Sequence, residues 1–185
     1  MISSVFSRIR LRTKRLIIRP FELSDDEELH AIVSQPKVLE FLPEDVMTLE
    51  EVRDIIGWLQ KCYRQNSPEK IVKWTLAILW ADTSRVIGWC GLGPLDFSPD
   101  EIELFCGLDE SHWGRGIALE ACRALLDYTF ANIGLTRVVA VVNPANQRSR
   151  RLIEKLGMQL EKQVKGLPGE HRHYENCLYY SVSAS

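Results

Sequence analysis

Apolar residues in this chain recur with two periods, and the changes of period mark its elements. Residues 15–20 (RLIIRP) make a short apolar run closed by Pro20, which reads as a strand. Just ahead of it Arg8, Ile9, Arg10, Leu11 and Arg12 alternate with period two and read as part of a first strand. Ser24, with Glu27 three residues on, forms a capping box and predicts a helix through His30, Ala31 and Ile32 as far as Pro36. Thr48 and Glu51 form a second box before Val52, Ile55, Ile56, Leu59 and Tyr63. That spacing is an amphipathic helix, closed by Asn66-Ser67-Pro68.

Residues 71–80 have the density of β-branched and aromatic side chains of a strand. The turn Ala81-Asp82-Thr83-Ser84 returns the chain as a hairpin partner over 85–93. A second turn at Phe97-Ser98-Pro99-Asp100 leads into a strand over 101–108. After Gly114 a helical period buries Ile117, Ala121, Leu125 and Tyr128, with Gly134 placed as its C-terminal cap. Residues 136–142 read as a buried strand that Asn143-Pro144 breaks, and Pro144 is expected as the first residue of a helix ending at Gly157. Residues 158–164 and 174–182 read as closing strands around a Gly-Pro-His loop. The order predicts one domain over residues 1–185, of α/β class, with a mixed, largely antiparallel central sheet of about seven strands and about four helices on both faces.

Composition narrows the class. At 185 residues, 45% hydrophobic and 26% charged, the chain has the make-up of an ordinary globular domain able to bury a core. It has no apolar run of membrane-spanning length and no secretory leader pattern, so neither a membrane nor export is expected. The five cysteines are scattered without a CxxC pair, which fits reduced thiols of a cytoplasmic protein and argues against a zinc site. Charge is uneven. The first twenty residues hold six basic groups and no acid, leaving 17 basic against 25 acidic residues in the rest. An acidic body would attract a cationic substrate, or would simply keep the protein soluble. The basic arm could touch nucleic acid, but its strand-like alternation makes a place in the sheet the first expectation. Its arginine-rich composition also mildly resembles a transit peptide.

The most informative stretch is Glu101 to Gly116, EIELFCGLDESHWGRG. A strand ends in Asp109 and Glu110, a turn carries Gly114, Arg115 and Gly116, and a helix follows. Backbone N–H groups left bare at such a turn, with the positive end of the helix dipole, suit a phosphate group. A dinucleotide fingerprint needs a small residue where Leu119 stands, and a P-loop needs a Gly-Lys-Ser/Thr ending that is absent. A glycine turn that serves packing alone is the remaining alternative.

The element order and the motifs resemble the GNAT superfamily of N-acetyltransferases, and within it the RimJ/RimL-like branch of ribosomal-protein N-terminal acetyltransferases. The resemblance covers nearly the whole chain. It rests on RLIIRPFELSD at the start, on Trp74 to Gly91 as the central hairpin, on Trp113-Gly114-Arg115-Gly116-Ile117-Ala118, and on Asn143, Asn146 and Ser149 ahead of Glu154-Lys155-Leu156-Gly157-Met158. Ser111 stands where the broad pattern has Gln or Arg, as the branch often does. Ile153 stands where a tyrosine acid is common, which turns attention to Ser149. Met158 replaces the commoner Phe.

The resemblance implies acetyl-CoA as co-substrate and no metal. Its pyrophosphate would lie on the N–H groups of Arg115, Gly116, Ile117 and Ala118, beside Trp113 and Gly114, while in the second cofactor segment Asn146 would bond the pantetheine or cap backbone and Asn143 would satisfy the strand end. Leu108 would lie beside the pantetheine arm, and an N–H near Cys106 to Leu108 would face the thioester oxygen. Acetyl transfer needs an amine that has lost its proton. Glu103 is the candidate base, acting through a water, with Glu101 as second candidate on the same face. Ser149 is the candidate proton donor to the departing sulfur. Each could instead be a surface group in a salt bridge or in solvent. Trp74, Trp80 and Trp89 read as core or groove-lining residues, Trp58 as a packing residue or else part of an acceptor pocket, and His171 and His173 as surface residues that could touch substrate. The acceptor amine is left open between a protein N-terminus and a small cationic amine, as are a non-catalytic CoA-binding module and a homodimer.

Overall fold

The computed structural model describes residues 3–42 and 46–184. Its helices are α1 (Ser3–Ser7), α2 (Asp26–Val33), α3 (Pro36–Leu39), α4 (Leu49–Gln65), α5 (Ile117–Tyr128) and α6 (Gln147–Lys155). Its strands are β1 (Leu11–Arg12), β2 (Leu16–Pro20), β3 (Trp74–Trp80), β4 (Val86–Leu95), β5 (Ser98–Leu108), β6 (Arg137–Val142), β7 (Gln159–Gln163) and β8 (Leu178–Ser183). They form one sheet in the order β1-β2-β3-β4-β5-β6-β8-β7, antiparallel at every neighbour except β5 and β6. The expected mixed, mainly antiparallel α/β sheet is therefore present, with eight strands among the described residues rather than seven.

Consecutive residues of β2 (Leu16, Ile17, Ile18) and β3 (Leu76, Ala77, Ile78, Leu79) are all buried, so this half of the sheet is covered on both faces. Further along, alternation returns. Leu104 and Leu108 of β5 and Val138, Ala140 and Val142 of β6 face the main core, while Val139 joins a separate cluster with Leu95, Val164, Cys177 and Tyr179. Glu103, Phe105 and Val141 share the parity of that second face.

Several sequence expectations change. The arm is not one strand: residues 3–7 are helical, Phe6 is fully buried edge-on against Trp74, and only Leu11–Arg12 pairs with β2. The capping interaction before α2 is not Ser24 with Glu27. Asp25 takes it, accepting from the Glu22 N–H at 2.8 Å while Arg19 grips both its oxygens at 2.7 and 2.9 Å. A bidentate arginine outcompetes an exposed serine for that turn. Strand β3 begins at Trp74 rather than residue 71, because the buried Asn66 takes the backbone N–H groups of Val72 and Lys73 and donates to the Lys73 carbonyl. Ser98, Pro99 and Asp100 already belong to β5, and the turn before it is Asp96-Phe97. Pro144 does not open a helix: α6 starts at Gln147 with Asn146 as its cap. The Thr48 and Glu51 box, the Gly134 cap and the Gly157 stop are present as expected.

Tyr63 ties α4 to the sheet. Its buried hydroxyl accepts from the Phe21 N–H at 3.0 Å and donates to the Thr75 carbonyl at 2.6 Å. Tyr63→Phe leaves both backbone groups unpaired and should cost about 1–3 kcal/mol in urea unfolding, with the fold retained. An unchanged midpoint would show that water replaces the hydroxyl.

Candidate active site

The site forms where the sheet comes apart. β5 and β6 are parallel but share a single registered pair, Glu103 with Val139. β4 pairs with β5 along nearly its whole length, and β6 pairs with β8 over six residues. Residues 104–108 and 140–142 therefore part company beyond Glu103 and leave a wedge whose two walls carry backbone groups with no ladder partner across it. In an open sheet the crevice beyond the carboxyl ends of diverging parallel strands is where ligands bind.

Glu103 sits at the apex. Its Oε1 accepts the Val141 N–H at 3.3 Å, so the carboxylate closes the first gap in the ladder. Burial of this carboxyl raises it to about 7; the Val141 hydrogen bond and the charge of Lys73 pull the other way, and Asp96 adds to the rise. Ionised and neutral forms then coexist near neutral pH, as a general base requires. Glu101 lies on the same face, but Arg137 holds it at 3.3 Å and itself clasps Glu161 at 2.8 and 2.9 Å. That engagement leaves Glu103 as the better placed base of the two.

At the open end of the wedge α5 begins. Gly114 and Gly116 both adopt left-handed backbone, at φ 74° and 72°, a conformation costly for other residues. Gly116 is the N-cap and no side chain caps the helix, so the N–H groups of Ile117 and Ala118 stay available, with the exposed Arg115 beside them. The turn is braced from below. Burial would raise the Asp109 carboxyl, but hydrogen bonds from Ser111, Gln35 and His112 hold it at about 2. Trp113 donates its indole N–H to the Leu108 carbonyl at 2.9 Å and lies under the Arg148 guanidinium at 4.4 Å, joining the turn to α6.

The second segment stands on the other wall. The Asn143 side chain accepts the Ala145 N–H at 2.9 Å, and the Asn146 side chain accepts the Ser149 N–H at 3.0 Å. Among the described residues the half-buried Ser149 hydroxyl has no protein partner. Cys106 and Leu108 turn their side chains to the core and contribute backbone to the wedge, although Trp113 already occupies the Leu108 carbonyl.

Sequence reasoning missed the tie that fixes the turn. Glu120, in the first turn of α5, accepts from Thr13 Oγ1 at 2.6 Å, from the Arg15 N–H at 2.9 Å and from Arg15 Nε at 2.7 Å. Arg15 Nη1 in turn donates to the Arg115 carbonyl at 2.9 Å. No local pattern links residues 105 apart, so only the fold reveals this bond. Sequence also misjudged Trp58, which is 48% exposed on α4 and is not a packing residue. On the Glu103 face a cleft of 330 Å³ opens among Phe97, Glu101, Lys162, Lys165, Leu167 and Tyr179. His171 lies at its side against Phe97, and His173 is exposed on Tyr174. No group of metal-ligating side chains occurs among the described residues, and no described helix is long and apolar enough to cross a membrane.

Residues 15–159 match the acetyltransferase (GNAT) domain family. The chain is 32% identical over 152 residues to p20, an uncharacterized N-acetyltransferase of Bacillus licheniformis, covering 82% of this chain and 83% of that one. A GNAT-family acetyltransferase of Bacillus anthracis has a similar structure, with a TM-score of 0.78 at 24% identity over 95% of this chain and 98% of the other. RimL, a ribosomal α-N-protein acetyltransferase solved with coenzyme A, superposes with a TM-score of 0.76 at 19% identity over 95% and 98% of the two chains.

Glu120 is held below the ordinary glutamate range by the donors from Thr13 and Arg15, against its partial burial. Its bonds therefore stabilise the fold at neutral pH and fade as pH falls and the carboxyl takes up a proton. Glu120→Gln should lower stability by about 1 kcal/mol at pH 7, and the gap to wild type should close towards pH 4 in thermal unfolding scans.

Proposed function

The chain belongs to the GNAT family of acetyltransferases, and we propose that it moves the acetyl group of acetyl-CoA onto a primary amine by direct attack in a ternary complex. The observation that carries this reading is the wedge itself, with a near-neutral carboxyl at its apex and an uncapped helix N-terminus at its mouth.

The residues present fit the co-substrate. The N–H groups of Arg115, Gly116, Ile117 and Ala118 would hold the pyrophosphate, and Gly116 leaves the approach open because a side chain there would meet nothing nearer than Arg15 Nη2 at 3.8 Å. Trp113, Gly114, Asn143 and Asn146 would frame it. The unpaired edges beside Cys106 and Leu108 offer amide partners for the pantetheine, as a strand edge does for a peptide. When bound, acetyl-CoA supplies an activated thioester carbonyl. Glu103 would take the proton of the attacking amine through a water, and backbone N–H groups near Cys106 to Leu108 would stabilise the charge developing on the carbonyl oxygen. As the C–S bond breaks, Ser149 would donate a proton to the departing sulfur, so that CoA leaves as the free thiol.

An α-amine of a protein N-terminus is the acceptor we favour over a small cationic amine. A carboxyl near 7 is better matched to an amine of pKa about 8 than to a lysine near 10.4. RimL acts on ribosomal-protein α-amines, as its name states, and shares this fold. The five cysteines are all free thiols, which fits a cytoplasmic setting.

Thiol release from acetyl-CoA, followed across peptides with free N-termini, N-blocked lysine peptides and polyamines, should give turnover with the free α-amines. Binding without turnover on any amine would make the chain a CoA-binding module. Glu103→Gln should lower kcat by about 10²–10⁴-fold. It should also abolish the rise in rate through pH 7 that the ionising carboxyl produces, while sparing CoA affinity. A wild-type rate at every pH would remove Glu103 from the base role. Gly116→Glu should abolish CoA binding by calorimetry while the protein stays folded, since it brings a side chain and a like charge to the phosphate position.

A further inference from the structure

We propose that Lys73 is a positioning residue for the base: its ammonium, seated over the Phe105 ring on the Glu103 face, favours the ionised form of that carboxyl and so helps set the lowest pH at which the enzyme works. This rests on the reading of Glu103 as the base.

The placement follows from the sheet. Lys73 immediately precedes Trp74, which pairs with Leu92, so Lys73 stands beside Gly93, and Gly93 pairs with Glu103. The three positions form one row across three strands. Gly93 has no side chain to fill the middle, and the lysine stem crosses there: a Cβ on Gly93 would lie 2.9 Å from Lys73 Cδ. Phe105, two residues beyond Glu103, pairs with Gly91 and lays its ring over it, with a Cβ on Gly91 falling 2.7 Å from the ring. Lys73 Nζ comes to rest 4.1 Å from the centre of that ring. Two glycines on one face of β4 thus make a trough that seats an aromatic ring and a cation beside the carboxylate. The lysine backbone is pinned by Asn66 through its N–H and its carbonyl, so the stem starts from a fixed point.

Among the described residues, the groups facing Glu103 leave Lys73 as its cation. From the turn before β5 comes Asp96, held by the Tyr174 hydroxyl at 2.9 Å. From the segment before β8 comes the buried, neutral Cys177 thiol. From β6 comes the Val141 N–H, and on β5 itself Glu101 is committed to Arg137. Lys73 favours the ionised form of Glu103, whereas Asp96 and burial oppose it.

The test follows isotope-labelled glutamate carboxyl carbons by NMR through a pH titration, with the Glu103 signal assigned by its loss in Glu103→Gln. Removing an adjacent cation destabilises the anion, so Lys73→Met should move the Glu103 midpoint up by about one unit. It should move the acid limb of kcat/KM with acetyl-CoA and a free N-terminal peptide by the same amount, costing about tenfold in rate below the limb. Lys73→Arg should restore both. Gly93→Ala, which displaces the stem without removing the charge, should shift both in the same direction by less. A midpoint that stays put in Lys73→Met, or an arginine variant that behaves like the methionine one, overturns the proposal. A shifted midpoint in a protein whose Glu103→Gln variant keeps full activity would instead overturn the base reading and leave the electrostatic coupling standing.

Discussion

The feature on which everything else depends is the failure of two parallel strands to stay together. β5 and β6 share one registered ladder pair, Glu103 with Val139. Buried backbone N–H and C=O groups without partners are costly, so a sheet that opens in its middle must find other partners for them or leave them to a ligand. This chain does some of each. The Glu103 carboxylate takes the Val141 N–H, and the Trp113 indole takes the Leu108 carbonyl. What remains between those two points is a slot lined by main-chain groups, with α5 and α6 starting at its mouth. A long, flexible ligand bearing amides in its middle and phosphates at one end matches such a slot in both shape and polarity.

The slot has to hold its width, and its two walls are braced differently. On the β5 side the brace is electrostatic. Glu120 binds Thr13 and Arg15, and Arg15 reaches the Arg115 carbonyl, so the first strands of the chain hold the glycine turn from behind. Satisfying the Arg115 carbonyl from that side leaves the N–H groups of the turn directed away from it. On the β6 side the brace is local. Asn143 and Asn146 accept the Ala145 and Ser149 backbone N–H groups, and Arg148 reaches across to the Trp113 ring. The two walls meet in that cation–π contact, which a bound ligand would have to pass or share.

Much of this was legible in the sequence, and what escaped has a common cause. The glycine turn and the Thr48 and Glu51 box are signals carried by neighbouring residues, and each lies where its pattern placed it, while the helix after Asn143-Pro144 begins three residues later than its pattern suggested. The expectations that failed turn on side-chain partners outside the short pattern that suggested each element, some only six or seven residues away and one across the sheet. Ser24 lost its cap to Asp25 because Arg19, on the preceding strand, grips that carboxylate. Residues 71–73 look like strand but are drawn off by Asn66. The arm reads as strand because its alternation is real over residues 8–12, yet Phe6 finds a better site against Trp74. Lys73 carried no signal, since a single lysine before a strand is ordinary until Gly93 and Glu103 are known to lie beside it.

The apex also bears on which amine the site can use. Passing a proton from an α-amine near 8 to an ordinary carboxylate near 4.3 is uphill by about 5 kcal/mol. Against a carboxyl at about 7 the same transfer is uphill by little more than 1 kcal/mol, a small part of a catalysed barrier. From a lysine the cost returns to about 4–5 kcal/mol. Burial of Glu103 at the point where the strands part therefore does two things at once. It brings the carboxyl to about 7, and in the proposed base role that value would favour amines already close to losing their proton. Were the strands paired further, Glu103 would have no gap to fill. Were they paired less, water would reach the carboxyl and return it to the ordinary range, and proton transfer from either kind of amine would cost about 4 kcal/mol more.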